Sequence, residues 1–460
     1  MKRFVCCALL LAVLPLAGRA AEEVDVEEIK QRVLEELKPV IEAEVQRRVQ
    51  EELAKREAVG KAAETAATTP AVAQPGQPWS PAQSITLLRA GSAYMNISFD
   101  TLVDFGWSTT PDVRSIQFGD HDPSQRGFTM PNSEFVFEGA VDPYFRGLGD
   151  VVLKLDGESE TTIELEEAYL ETTSLAWNLQ VRAGHWFSEF GRQNPQHPHA
   201  WDFVDQPLVL GRMFGPEGMR NPGARVSWLL PTPFYAELLL TVLNGNGEIT
   251  WSFRNPESEE FHGGEVVDRH LRGPQDLVYL PRLATAFDLS ETQTLLLGAA
   301  AATGPNNTGA DACTQIVGGD VTWKWRPEDA ERGFPFVKVQ SEAMYRWYEA
   351  AERVSVDDPL VTLPEETLGD WGFYTQVLYG FCPGLVAGLR GEFVSADDAA
   401  FDSDLRLDRT RISPNLTWYP TEFSKIRLQY NYDHIQQWGD EHSVWMQLEF
   451  LLGSHGAHKF

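Results

Sequence analysis

The sequence predicts an all-β fold: an antiparallel transmembrane β-barrel of about sixteen strands preceded by an N-terminal α-helical, coiled-coil-like segment. Three observations lead there. The chain opens on an export signal. Stretches of about ten residues alternate apolar and polar side chains, longer than the five or six usual for soluble strands. The connections between them alternate short and long, as in barrels with tight periplasmic turns and extended outer loops.

Lys2 and Arg3 precede an apolar run from Phe4 to Leu16, and Gly18-Arg19-Ala20 supplies the small residues read by a signal peptidase. The run is about thirteen residues, too short to cross a bilayer as a helix, which takes about twenty. Residues 1–20 are therefore expected to be removed. Cys6 and Cys7 lie too early in that segment to carry a lipid. The remaining cysteines, Cys313 and Cys382, are read as unpaired, and no CxxC or Cys/His cluster supports a structural zinc site. Asp and Glu outnumber Lys and Arg by 67 to 38, a net charge of −29. Nucleic acid is thereby excluded as a partner, whereas outer loops bathed in divalent cations and lipopolysaccharide suit this balance.

Residues 21–59 form a predicted periplasmic rod. Val26, Ile29, Val33, Leu37, Val40, Ile41, Val45, Val49 and Leu53 recur at three- and four-residue steps. Pro39 should kink the helix. The step is nearer an eleven-residue than a heptad repeat, which favours a weak or right-handed supercoil. A rod of roughly 45 Å with one thin apolar stripe is expected to self-associate. Residues 60–84, with Pro70, Pro75, Pro78 and Pro81, read as an Ala/Thr/Pro linker.

The barrel is assigned to residues 85–460. Met95, Ile97, Phe99, Val103, Phe105 and Trp107 fall on one face of the first strand, with Asn96, Ser98, Asp100 and Asp104 on the other. The same pattern recurs in 336–349, 425–433 and 443–450. Strands are expected to begin near 93, 133, 147, 162, 177, 223, 234, 278, 292, 314, 335, 370, 384, 409, 423 and 442, an even number, as closure requires. Pro143, Ser174, Pro231-Thr232-Pro233, Ser290-Glu291, Cys382-Pro383-Gly384 and Pro420-Thr421-Glu422 mark the short turns. Aromatics such as Trp107, Trp347, Trp371 and Trp418 gather near strand ends, where interfacial girdles form. Terminal Phe460 resembles the signal read by the outer-membrane assembly machinery, although Gly453–Lys459 separates it from the last clear strand.

The order of signal, helix, linker and barrel, together with the stretch from Val181 to Arg192 (VRAGHWFSEFGR), resembles the phosphate-selective porin O and P family and its porin-like relatives. In that family a strand leads to a Gly-x-Phe-x-x-x-Phe-Gly turn, here with Trp186 or Phe187 in the aromatic place. The resemblance implies a homotrimeric porin in the bacterial outer membrane, multi-pass, with anions among its candidate solutes.

The residues supply a separate expectation. Arg390, Arg409, Arg411, Lys425 and Arg427 fall on the polar faces of late strands and should make a basic lumen wall. Asp100, Asp104, Glu134, Glu138, Glu164 and Glu166 should make an acidic wall opposite, setting a transverse field rather than an anion-only filter. The long loop from Ser188 to Pro222 is the expected constriction, with Arg192, His197, His199, Asp202, Arg212 and Arg220 as pore residues. His197-Pro198-His199, with Asp202 nearby and His185 just before, also forms a candidate zinc-type metal pair.

Diffusion of small hydrophilic solutes or ions is the expected function. A zinc-binding or uptake barrel, and a tether reaching the cell wall through the rod, are the alternatives. No cofactor is expected, the partners are outer-membrane lipid, the assembly machinery, further copies of the chain and the cell wall, and no nucleophile–base set points to an enzyme.

Overall fold

In a computed structural model the chain divides into two units, Met1–Val72 and Ala73–Phe460. The structure describes residues 84–155, 160–256, 258–401 and 403–453, all in the second unit. The expected signal peptide and rod, most of the expected linker and Phe460 lie outside these residues.

A short strand, β1 (Ile85–Ala90), precedes the barrel. The strands that follow are β2 (Ala93–Ser108), β3 (Gly127–Ala140), β4 (Phe145–Leu155), β5 (Thr161–Thr172), β6 (Leu179–Phe187) and β7 (Arg220–Leu229). Then come β8 (Tyr235–Leu243), β9 (Val278–Ser290), β10 (Gln293–Pro305), β11 (Cys313–Trp325) and β12 (Phe336–Ala350). A two-residue ladder, β13 (Arg353–Val354) with β14 (Thr362–Leu363), lies within a loop. The last are β15 (Glu366–Cys382), β16 (Leu385–Ala396), β17 (Arg409–Thr421), β18 (Ser424–Ile435) and β19 (Gly439–Leu452).

Each long strand pairs antiparallel with its neighbour in sequence, and β19 pairs with β2 from Ser443↔Ser108 to Leu452↔Phe99. Among the described residues sixteen strands thus close into a barrel. β1 continues the line of β19 along β2, from Ile85↔Ile97 to Ala90↔Ala93, and so covers the stretch of β2 that β19 does not reach. The sequence pattern contains no expectation of β1, because its residues do not alternate.

Each of the sixteen expected strand starts falls on a barrel strand or within two residues of its first residue. The largest discrepancy is at β3, which begins at Gly127 rather than near 133, since Met130-Pro131 interrupts the alternation and shifts the register, yet pairing with β2 resumes from Thr129 to Gly127. Outward faces carry exposed Phe105, Trp107, Trp347, Leu389, Trp418 and Leu428, as lipid contact demands. Cys313 opens β11 and Cys382 ends β15; both are free thiols, as expected.

The inward faces are polar yet almost everywhere buried, because loops fold into the lumen. Within it Trp186, Phe190, Leu208, Val209, Leu210, Met213 and Phe214 pack against inward-facing Ile316, Met344, Tyr374 and Val394. Burial of each such side chain contributes about 1.5–3 kcal/mol. The lumen therefore contains a hydrophobic core of its own.

Candidate functional site

The loop between β6 and β7 runs over residues 188–219, three residues shorter than expected, and dips into the lumen. Its neck is closed by Ser188 N–H donating to Met219 O at 2.8 Å. Asn194 reinforces the neck: its Nδ2 donates to Ser188 O (2.8 Å) and Met219 O (3.0 Å), and its Oδ1 accepts Met219 N–H (2.8 Å). Past the neck, the N–H groups of Arg192 and Gln193 converge on the Glu342 carboxylate of β12 at 2.9 and 2.7 Å. Gly191, at φ +69°, makes that approach: a Cβ there would collide with Glu342 Oε2.

From here the chain crosses between two charged arcs. His197 faces the acidic one. Its Nδ1 stands 2.8 Å from Glu166 Oε2, 3.3 Å from Asp150 Oδ2 and 3.5 Å from Glu134 Oε1, and its Nε2 is 3.2 Å from Glu167 Oε2. His199 stacks on His197, ring centroids 5.7 Å apart, with Nδ1 3.0 Å from Glu134 Oε2 and 4.0 Å from Asp100 Oδ1. Burial would depress the His197 imidazole pKa; the charges of Glu134 and Glu166 and the hydrogen bonds to Glu166 and Glu167 outweigh it and hold the pKa well above its ordinary value.

Three residues after His199, the loop meets the basic arc. Asp202 accepts from Lys338 Nζ (2.7 Å) and Gln376 Nε2 (2.8 Å). Asp205 is enclosed by Arg390, Arg411 (2.8 Å), Gln429 (2.9 Å) and Asn431 (2.8 Å). Burial acts to raise both carboxyl pKa values, but Lys338 beside Asp202, and Arg390 and Arg411 beside Asp205, hold them below the usual range. Arg427 donates to Trp201 O at 2.8 Å, and Lys425 Nζ to His199 O. Arg409 and Arg411 turn to Asp433 and to Ile116 O on the β2–β3 loop, which also folds inward. The loop thus presents imidazoles to carboxylates and carboxylates to guanidinium groups.

A seven-residue helix, Leu208–Phe214, completes the loop. Glu392 of β16 accepts the Leu208 N–H at 2.6 Å, satisfying a donor at the positive end of the helix. Arg212 binds Asp370 (3.3 Å) and Leu407 O (2.6 Å), so it holds the helix to the wall and does not line an aperture.

Several expectations are corrected. The two walls are not opposed: acidic β2, β3 and β5 and basic β16, β17 and β18 are neighbours in the ring, separated by β19 alone. Their charges are mostly buried against the loops and so set no open transverse field. Arg220 belongs to β7, where it binds Glu164 and Glu217, and Glu164 also binds Lys154 at 2.7 Å. Asp202 is drawn to Lys338 and away from the two histidines, and His185 falls on the alternate face of β6 from Arg182 and Trp186. Asp104 lies buried at the register position of Gln447.

Sequence reading missed Asp150 and Glu167. The available signal is Glu166-Glu167 itself, two carboxylates in succession where alternation allows one. The register shifts there, with Asp150 opposite Glu167 and Val151 opposite Leu165, so a β-bulge turns both glutamates inward.

On the remaining arc the loop leaves a cavity of about 370 Å³. Arg146, Arg182, Arg192 and Arg282 line it together with Glu138, Glu167, Glu237 and Asp320, and Gln196 and His197 form its edge on the loop. Arg282 and Asp320 pair at 2.7 Å across β10.

No protein-family model matches the chain. A protein of Aquifex aeolicus (strain VF5), described as uncharacterized, is 30% identical over 356 residues, covering 73% of this chain and 71% of the relative. Among solved structures, the outer membrane channel DcaP of Acinetobacter baumannii aligns with a TM-score of 0.51 at 14% identity, over 79% of this chain and 99% of that one. The anion-selective porin from Comamonas acidovorans aligns with a TM-score of 0.49 at 7% identity, over 78% and 100%. The likeness to DcaP is one of fold.

Proposed function

The chain belongs to one family with the uncharacterized Aquifex aeolicus protein, and for this member we propose a diffusion channel for small hydrophilic solutes in the bacterial outer membrane. The observation that carries the reading is the cavity beside the inserted loop, walled by charged side chains within a closed barrel whose outer face is apolar. DcaP, whose fold the barrel shares, is described as an outer membrane channel. Arginines and carboxylates both line the cavity, so the reading favours weak charge selectivity over the anion preference implied by the porin O and P resemblance. It assigns no catalytic residue.

Purified full-length protein in a planar bilayer is expected to give discrete conductance steps with a reversal potential near zero in a salt gradient. Silence at every voltage overturns the channel. A trimer, implied by the resemblance, goes with this reading and is tested by the mass of the detergent-solubilised protein. The tether reading concerns residues outside those described; deleting residues 24–53 should loosen attachment to the cell wall and leave conductance intact.

A further inference from the structure

We propose that the acidic arc binds one divalent transition-metal ion, with His197 Nδ1 and one carboxylate oxygen each from Glu134, Asp150 and Glu166 as ligands. Donors held about 2.0–2.2 Å from a tetrahedral ion stand about 3.3–3.6 Å apart. The three carboxylate oxygens lie 2.8–3.5 Å from His197 Nδ1, and all four donor atoms lie within 4.8 Å of one another. This ligand set replaces the His197–His199–Asp202 arrangement expected from the sequence.

Two further observations point to a ligand. Asp150 is 1% exposed, its Oδ2 faces His197, and its Oδ1 has no hydrogen-bond partner among the described residues. Among the described residues His197 is the ion-pair partner of Asp150, and that imidazole is shared with Glu134 and Glu166, so a further cation would stabilise a carboxylate buried in that condition. The second observation is the orientation of the imidazole. Its Nε2 faces Glu167 Oε2 at 3.2 Å, and Glu167 Oε1 accepts the Phe187 N–H at 3.0 Å. With Nε2–H anchored on Glu167, an ion that displaces the Nδ1 proton meets an imidazole already turned toward it, the arrangement that orients ligating histidines. The bulge that turns Glu166 and Glu167 inward together therefore supplies one ligand and one positioning residue from consecutive positions.

The donors select the ion. One imidazole with three carboxylates suits zinc or manganese. Calcium takes six to eight oxygens, and copper(I) prefers sulfur. Ions reach the site from the cavity, whose lining includes His197 and Glu167. The inference stands on the β3–β5 wall and does not depend on the channel reading, so conductance and metal binding fail or succeed separately.

The test is equilibrium dialysis of the full-length, detergent-solubilised protein against Zn²⁺ and, separately, Mn²⁺. One saturably bound ion per chain is expected. Asp150→Asn and Glu166→Gln should each abolish it, Glu167→Gln should weaken it about 10–100-fold, and His434→Ala, at an exposed histidine, should leave it unchanged. The three carboxylate variants remove buried negative charge, and folding of every variant is checked by heat-modifiable gel mobility. Should the variants not fold, the Mn²⁺-loaded wild type must show electron-spin-echo modulation from a single coordinated imidazole nitrogen. Absence of saturable binding, binding undiminished in folded Asp150→Asn and Glu166→Gln, or absence of the nitrogen modulation overturns the proposal.

Discussion

Asp205 sits fully buried with two guanidinium groups and three side-chain amides directed at it, four of these five groups from the barrel wall, which makes it the firmest single link between the inserted loop and that wall. Removing one member of a buried charge cluster leaves its partners desolvated and unpaired, at a cost of about 3–5 kcal/mol. Asp205→Ala is therefore expected to undock the middle of the loop while leaving the barrel closed. Proteolysis within residues 196–207 under conditions where wild type resists would register it; equal resistance would show that the contact contributes little.

The same residue sets a pH dependence. Arg390 and Arg411 outweigh burial and lower the folded-state carboxyl pKa, so the ionised form is the one stabilised. Its contribution is complete above the unfolded value of about 3.9 and is lost as the pH falls through the lower folded value. The difference in loop hydrogen exchange between wild type and Asp205→Asn should hold from pH 8 to 5 and shrink below about pH 4. A difference that vanishes already at pH 6 would contradict it. Asp205 was legible only as one acidic residue in a long loop; nothing local to Val204-Asp205-Gln206 indicates that Arg390 and Arg411, some two hundred positions later, enclose it.

The inserted loop is held at its ends and along its length by different means. The neck depends on Asn194, the crossing on ion pairs, and the Leu208–Phe214 helix on apolar packing. Met213 is fully buried among Phe190, Phe214 and the wall. Met213→Ala should cost about 2–5 kcal/mol of loop docking, visible as faster exchange in residues 208–214 with unchanged β content. Gly211 faces Phe118 of the β2–β3 loop so closely that any Cβ would strike the Phe118 side chain at its own Cβ. Gly211→Val is expected to separate the two loops and raise single-channel conductance; an unaltered step size would place the conducting path elsewhere. Strand positions were readable because a half-buried strand must alternate at period two whatever it pairs with. The loop helix was not, since seven residues buried nearly all round show no amphipathic stripe.

For the whole molecule, closure is the decisive event. Pairing β19 with β2 sets the basic C-terminal strands beside the acidic N-terminal ones and gives the loop its two attachment arcs within a short reach. Deleting residues 197–206 should remove both attachments and enlarge the conductance step severalfold. Conductance equal to wild type would mean that the loop does not limit the pore. Closure also keeps Cys313 and Cys382 apart at opposite ends of their strands, so oxidised protein should retain two titratable thiols.

By itself the sequence determined that this chain forms a barrel of about sixteen strands, which faces of those strands turn inward and which connection is long enough to enter the lumen. These follow from local rules: alternation, turn chemistry and length. Only the tertiary structure decided that the charged walls are neighbours, that the loop is electrostatically matched to both, and that His197 meets Glu134, Asp150 and Glu166 while Asp202 turns away. The reason is closure. Ring adjacency between the first and last strands, and the depth to which a loop sinks between them, are set by long-range register and burial, which leave no periodicity in the chain.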